Sequence, residues 1–447
     1  MSDNDSSGLT GIDTLIEARW IIPVEPHGVT LEQHALAIDG GRIVDLLPQQ
    51  EARRRYRARE TVRLSQHILI PGLVNLHTHA AMTLLRGYAD DLGLMDWLNQ
   101  HIWPAEAKYV GPAFVRDGTL LACAEMLRGG ITCFNDMYFY PEAVAEVALR
   151  LGMRAALGIL AIEFPTAYAV DADDYLTKGL ATRDALREQP LLSFCMAPHA
   201  PYSVSDRHFE RIVTLAAQID VPIHIHIHET RAEIDESIKQ YGVRPLERLR
   251  RLGLLGPNLI AVHAVHLDPA EIDLLAAHGC SVAHCPVSNL KLASGIAPVA
   301  AMTRAGIQVG LGSDGAASNN RLDLFREMSF AALLAKGSSG DATVLDAQTT
   351  LRMATLNGAA ALGLDDRIGS LVVGKQADLC AVRLDDTSLQ PCYDPAAHLI
   401  HAAGREYVSH VWVAGKPRVH EGNLLGIDTA ELLDMANLWQ NRLLDGF

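Results

Sequence analysis

Histidines recur in this chain at a spacing of two. His77 and His79 stand in PGLVNLHTH, and His224, His226 and His228 stand in PIHIHIHET. On a β-strand, side chains two apart share a face, so each group presents its imidazoles together. Imidazoles gathered on one face make half of a divalent-metal site. Three of them in an apolar strand are costly unless liganded or hydrogen-bonded. Glu229 follows the triplet at once and puts a carboxylate at the strand end, whereas His224 lies deeper and reads as a satisfied core residue. Farther on, LIAVHAVHL carries His263 and His266, one of which is in reach of the same centre. Asp314 closes QVGLGSD and enters the loop LGSDGAASNN. An Asp there can ligate a metal, accept a proton or cap the following helix.

Three nitrogen donors and one oxygen donor, with a position left for water, suit Zn²⁺ or a similar divalent ion. Such an ion makes hydroxide available at neutral pH, and an unligated carboxylate nearby, such as Glu229, can shuttle protons. The chemistry these parts imply is metal-assisted hydrolysis or hydrolytic deamination.

Positioning them requires elements that converge. Eight apolar, β-rich runs alternate with helix-period stretches: 73–79, 131–138, 154–160, 191–198, 222–229, 259–267, 281–286 and 308–314. Helical stretches such as 114–128 and 206–219 lie between them. That alternation predicts an α/β fold, a (β/α)8 TIM-type barrel, whose active site lies at the C-terminal ends of the strands. Histidines then end strands one, five and six, and an Asp ends strand eight. The first seventy residues and the tail read instead as short strands with turns, including 15–24, 35–47 around Gly40 and Gly41, 378–384 and 407–413. They predict a small composite β-sandwich domain from residues 1–72 and 365–447, with a C-terminal helix, beside a catalytic barrel of residues 73–364.

Composition narrows the function classes. The 447 residues carry a formal net charge of −15, which argues against a nucleic-acid binder or a partner for anionic membrane. No run of 18 apolar residues is present, so no membrane span is expected. The seven cysteines form no C-x-x-C pair and read as packing residues of a reduced, cytoplasmic protein. The acidic, polar start MSDNDSSGLTG has the character of no secretory signal.

The segments PGLVNLHTH, HIHET, AVHAVHL, HCPVSNLKLASG and LGSDGAASNN, with GSLVVGKQADLCAVRL and VSHVWVAGKPRV in the tail, resemble the amidohydrolase superfamily, in its branch of adenine and triazine deaminases and chlorohydrolases. The resemblance spans nearly the whole chain. It implies zinc ligands at His77, His79, His226 and Asp314, and a catalytic, substrate-facing Glu at Glu229. It implies that His263 and Asp314 steady the attacking hydroxide and that Asp314 helps protonate the departing amine. Glu106, in HIWPAEAKY, matches a Glu that grips ribose hydroxyls, and His199, in APHAPYS, matches a substrate-binding His. No lysine ends the fourth strand run, so one metal per subunit is expected: Zn²⁺, or another divalent ion such as Fe²⁺ or Mn²⁺. HCPVSNLKLASG is expected to close over the site, without assigned roles. Asp136 and Tyr138 read as supports of the mouth.

The implied substrate is an adenosine, converted to its inosine analogue with loss of ammonia. After Arg154 the third-strand region has no Arg or Lys until Lys178, so an amino-acid carboxylate would lack a cationic partner. That favours 5′-methylthioadenosine over S-adenosylhomocysteine, with Leu160, Ile162 and Phe164 around the methylthio group. The alternative in the same branch is a guanine deaminase or a triazine-type amino- or chlorohydrolase. A non-catalytic scaffold would be expected to lose metal ligands, and none is missing. A homo-oligomer, dimer or tetramer, is expected from the family.

Overall fold

The computed structural model describes residues 9–444. Four strands open the chain: β1 Thr10–Ile21, β2 Leu31–Asp39, β3 Arg42–Pro48 and β4 Tyr56–Pro71. Eight more follow: β5 Leu73–Thr78, β6 Ile131–Asp136, β7 Arg154–Ala161, β8 Leu192–Pro198, β9 Ile223–Ile227, β10 Leu259–His263, β11 Ser281–His284 and β12 Gln308–Leu311. The tail supplies β13 Leu379–Arg383, β14 Val408–Val413, β15 Lys416–His420 and β16 Asn423–Leu424.

Strands β5 to β12 are parallel and neighbour one another in chain order. Each overlaps one of the eight runs read from sequence, and six of them end one to four residues before the run does. Their side chains are buried on both faces, which the filling of a barrel interior and the packing of helices outside require. Helices at Pro112–Arg128 and Asp206–Ile219 fall where the helical period placed them. The seam between β12 and β5 closes just beyond the strands. The Asp314 N–H donates to the His77 carbonyl over 3.0 Å, and the Asn75 carboxamide bonds Ser313 at both N and Oγ, at 2.9 and 2.7 Å. Gly312 permits this approach, because a Cβ there would stand 2.9 Å from His77 Cβ.

The terminal strands form one mixed sheet in the order β16-β15-β14-β13-β4-β1-β2-β3. Period-two alternation places Ile16, Ala18, Leu36 and Ile38 in one buried cluster and Leu15, Ala35 and Ala37 in another, so both faces of β1 and β2 are covered. The 16-residue β4 leads straight into the first barrel strand. Arg154 ties the two sheets together: its guanidinium pairs with Asp378 at 3.0 Å, with both side chains almost completely buried. The C-terminal helix Thr429–Leu444 docks on the barrel helix Pro112–Arg128, where Trp439 Nε1 donates to Asp117 at 2.8 Å. Among the described residues no helix is long and apolar enough to cross a membrane.

Candidate active site at the mouth of the barrel

The polar residues that crowd the ends of the eight runs lie mostly just past the strands. His77 and His226 are on strands β5 and β9, and His263 is the last residue of β10. His79, His199, Glu229 and Asp314 sit in the first residues of the following loops. His263 and Asp314 hold positive φ, 69° and 57°, conformations that cost a non-glycine residue roughly 1–3 kcal/mol each and persist where surrounding structure enforces them.

Four of these residues converge. His77 Nε2 lies 3.2 Å from His226 Nε2 and 3.2 Å from Asp314 Oδ1, and His79 Nε2 lies 3.3 Å from the same oxygen. The opposite ring nitrogens are occupied. Nδ1 of His79 donates to the Met137 carbonyl at 2.6 Å, Nδ1 of His226 to the His199 carbonyl at 2.8 Å, and Nδ1 of His77 bonds His224 Nε2 at 3.0 Å. His224, read as a core residue, is thus the buried support of His77. With Nδ1 carrying the proton in each ring, three lone pairs and a carboxylate oxygen face one another, an arrangement that repels unless a cation or a proton stands among them. Three imidazole nitrogens and one carboxylate oxygen fit a zinc-like ion. Burial pulls His79 down, but Asp314 and the Met137 carbonyl outweigh it and push it up to about 9. Burial holds His77 down at about 4.

The second oxygen of Asp314 points away from the rings and accepts from Ser288 Oγ at 2.6 Å and Ser318 Oγ at 2.8 Å. Glu229 Oε2 lies 3.7 Å from His263 Nε2. Burial pushes the Glu229 carboxyl up to about 6, which suits a group that must both hold and release a proton near neutrality. Its backbone is fixed by Glu233, whose carboxylate accepts from the N–H groups of His228 and Glu229 at 2.9 Å each. His228 turns away and accepts from Leu246 N, and His266 bonds the Ser294 carbonyl. Of the pair His263 and His266, it is His263 that reaches the centre.

These groups open into a cavity of about 530 Å³, the size of a small-molecule site. His199, Glu106 and Tyr138 line it. The Tyr138 hydroxyl donates to Glu106 Oε1 at 2.7 Å. Burial pushes Glu106 up to about 7 against the opposing pull of that bond, and burial holds His199 neutral, down at about 3. Asp136, expected to support the mouth, caps the turn after His79 by accepting from Ala80 N at 2.7 Å. The remaining wall is apolar. Leu160, Ile162 and Phe164 line it as expected, and none of the lining side chains among the described residues is Lys or Arg.

Sequence reasoning missed part of this wall. Residues Leu94–Trp97, a π-helical turn at Leu98–Ile102 and a helix at Trp103–Tyr109 form a roof over the cavity. Trp103 meets Phe164 there, ring centres 5.8 Å apart. It also missed Ser288, Asn289 and Ser318. Their signal was position, in polar stretches directly after strands β11 and β12.

A (β/α)8 barrel with this donor set at its C-terminal mouth defines a metal-dependent hydrolase. The model of the amidohydrolase family matches residues 68–418, and the chain belongs to that family. The chain is 48% identical over 434 residues to the 5-methylthioadenosine/S-adenosylhomocysteine deaminase of Teredinibacter turnerae, covering 97% of this chain and 98% of that one. An adenosine deaminase of Xanthomonas campestris, crystallised with zinc, superimposes with a TM-score of 0.97 at 53% identity, over 98% of this chain and all of that one. The zinc-bound atrazine chlorohydrolase of Arthrobacter aurescens superimposes with a TM-score of 0.89 at 26% identity, covering 95% and 99%. This protein is a metal-dependent hydrolytic deaminase acting on C–N bonds.

Proposed function

We propose that the enzyme deaminates 5′-methylthioadenosine at C6, giving the 5′-methylthioinosine analogue and ammonia, and that S-adenosylhomocysteine and adenosine are poorer substrates. His77, His79, His226 and Asp314 would hold one Zn²⁺. When bound, the ion supplies Lewis acidity and makes water acidic enough to attack at neutral pH.

The protein's own groups do the rest. Glu229 delivers a proton to N1 of the purine, which makes C6 electrophilic. His263 Nε2 and Asp314 orient the attacking water. Asp314, steadied by Ser288 and Ser318, takes a proton from that water and passes it to the departing amine. As the C6 adduct collapses to the carbonyl, its hydroxyl proton returns to Glu229, so one water is added, one ammonia leaves and both carboxyl groups are restored. Glu106, kept in place by Tyr138, accepts from the ribose hydroxyls, and His199 contacts the sugar side of the substrate.

The observation that carries the substrate choice is the cavity lining. Its acidic groups suit hydroxyls and a purine, its apolar wall suits a methylthio group, and it offers no cation for an amino-acid carboxylate. The test is an ultraviolet assay of zinc-loaded protein on 5′-methylthioadenosine, S-adenosylhomocysteine, adenosine and guanine. Fastest conversion to the hypoxanthine spectrum is expected with the first. Equal efficiency on S-adenosylhomocysteine overturns the preference. Turnover of guanine alone selects the free-base alternative.

A further inference from the structure

The segment that follows β11 folds into a short helix, Pro286–Lys291, whose consecutive residues Ser288 and Asn289 face two different groups of the site. Ser288 holds Asp314. Asn289 Oδ1 lies 2.8 Å from His263 Nδ1. A carboxamide oxygen can only accept, so His263 donates from Nδ1 and turns its Nε2 toward Glu229 and the converging donor atoms.

Among the described residues no other hydrogen bond uses this side chain. The segment is held by backbone: the Asn289 N–H donates to the Cys285 carbonyl, and its own carbonyl accepts from Ser294 N at 2.8 Å and from Gly295 N. The Asn289 carboxamide nitrogen is buried with no partner, and the residue is 1% exposed. A buried donor left without a partner costs stability. An apolar side chain would avoid that cost if packing were the only requirement.

We propose that Asn289 is a positioning residue that fixes the tautomer and ring orientation of His263 for the reaction. The inference rests on the placement of His263 in the reacting centre, as proposed above. Which nitrogen of a histidine ring faces a reacting centre is set by the hydrogen bond at the opposite nitrogen, and for metal-bound histidines loss of that partner typically costs about 10- to 100-fold in affinity or activity, the scale expected here.

The test uses the full-length, zinc-loaded protein with 5′-methylthioadenosine. Asn289→Leu keeps the size and removes the acceptor. Asn289→Asp keeps an oxygen at the same place. Asn289→Ala repeats the comparison should the Leu variant not accumulate. Loss of the acceptor is expected to lower kcat by about 100-fold, with KM and bound zinc within about threefold of wild type. The Asp variant is expected to recover kcat to within about tenfold. A Leu or Ala variant with near-wild-type kcat overturns the proposal. So does a loss of kcat that follows loss of zinc, or an Asp variant as impaired as the Leu variant. His263→Ala, assayed alongside, separates the two levels. An active His263→Ala refutes the role of His263 itself, whereas an inactive one beside an active Asn289→Leu refutes only the role of Asn289.

Discussion

The Tyr138 hydroxyl donates to Glu106 Oε1 across 2.7 Å inside the substrate cavity, so an ionisable group that the sequence tied to ribose binding is governed by a neighbour 32 positions along the chain. Burial pushes the Glu106 carboxyl up to about 7, and the Tyr138 bond opposes the rise. Only the ionised carboxylate is purely an acceptor for two sugar hydroxyls. As pH falls through about 7, Glu106 gains a proton, and kcat/KM for 5′-methylthioadenosine should fall with it. Glu106→Gln should raise KM and remove that step from the pH profile. Tyr138→Phe removes the group that lowers the Glu106 pKa, so the step should move to higher pH. A bond to a charged group is worth about 1.5–3 kcal/mol, so roughly tenfold or more in kcat/KM at pH 7 should be lost as well. A Tyr138→Phe profile superimposable on wild type would count against the pairing.

The barrel was legible because its strands are buried on both faces and end in His, Asp or Glu, a pattern few other folds require. His77, His79, Glu229 and Asp314 stood out as candidates from their positions at those ends, whereas the choice of His226 over His228 and of His263 over His266 rested on the family resemblance. The partners of the helper residues could not be read in this way. Asn289 and Ser288 touch the site only because a helical turn after β11 brings them back over the mouth. Tyr138 meets Glu106 only because the roof helix folds across the cavity. These are contacts between loops far apart in sequence, and no local period encodes them. The role of His224 was hidden for a related reason: depth in a strand does not disclose that β5, on the far side of the barrel interior, sets His77 against it. The strand β4 was read only as part of a strand-rich start, since its polar, Arg-rich first half masks the apolar run at its end.

Glu229 is buried beside His263 and takes no place among the converging donor atoms. Glu229→Gln removes proton transfer while keeping the size of the side chain. Turnover should fall by about 10²–10⁴-fold, with one zinc per subunit retained. Removal of the metal by a chelator should abolish turnover in wild type and restore it on adding Zn²⁺. It should also lower the melting temperature, because an ion that binds only the folded state at a thousand times its Kd contributes about 4 kcal/mol. Elemental analysis, activity and a thermal scan on the same preparations check all three. A Gln variant that loses both zinc and activity would place Glu229 in the metal set instead.

Glu327 lies beneath the site, fully buried, accepting from Asn319 Nδ2 at 2.7 Å and Val287 N at 3.2 Å. Burial pushes its carboxyl up to about 8. The folded protein therefore holds this proton more tightly than the unfolded chain does. Stability from this group is fully present below about 4.5 and declines as pH rises toward 8. Glu327→Gln is neutral at every pH, so its stability relative to wild type should grow across that window. Melting temperatures at pH 5 and pH 8.5 measure the difference. The carboxamide matches a protonated carboxyl in shape and charge but accepts at one atom only, so the variant carries a constant cost of about 1–3 kcal/mol for the donor left facing its NH2, and the pH-dependent difference adds to that baseline. Glu327→Ala should cost about 1–3 kcal/mol or more, because it leaves two buried donors unpaired.

Arg154 and Asp378 pair at the opposite end of the barrel from the chemistry, since Arg154 begins β7 and the reacting groups follow the strand ends. Residues there should affect stability and leave turnover alone. Asp378→Ala strands a guanidinium that is almost completely buried, and breaking such a pair from one side costs about 3–5 kcal/mol. Arg154→Met leaves Asp378 the Ala414 N–H donor, at 2.8 Å, and should cost less. The double variant Arg154→Met/Asp378→Leu removes both charges together and should recover part of the loss from Asp378→Ala. Recovery should be incomplete, because the Ala414 N–H then loses its acceptor. Denaturant midpoints for the three variants measure this coupling. At 25 °C the folded fraction of each should keep wild-type kcat and KM, so a lowered kcat in folded, zinc-loaded Asp378→Ala would show that the tie between the two sheets also shapes the mouth of the barrel.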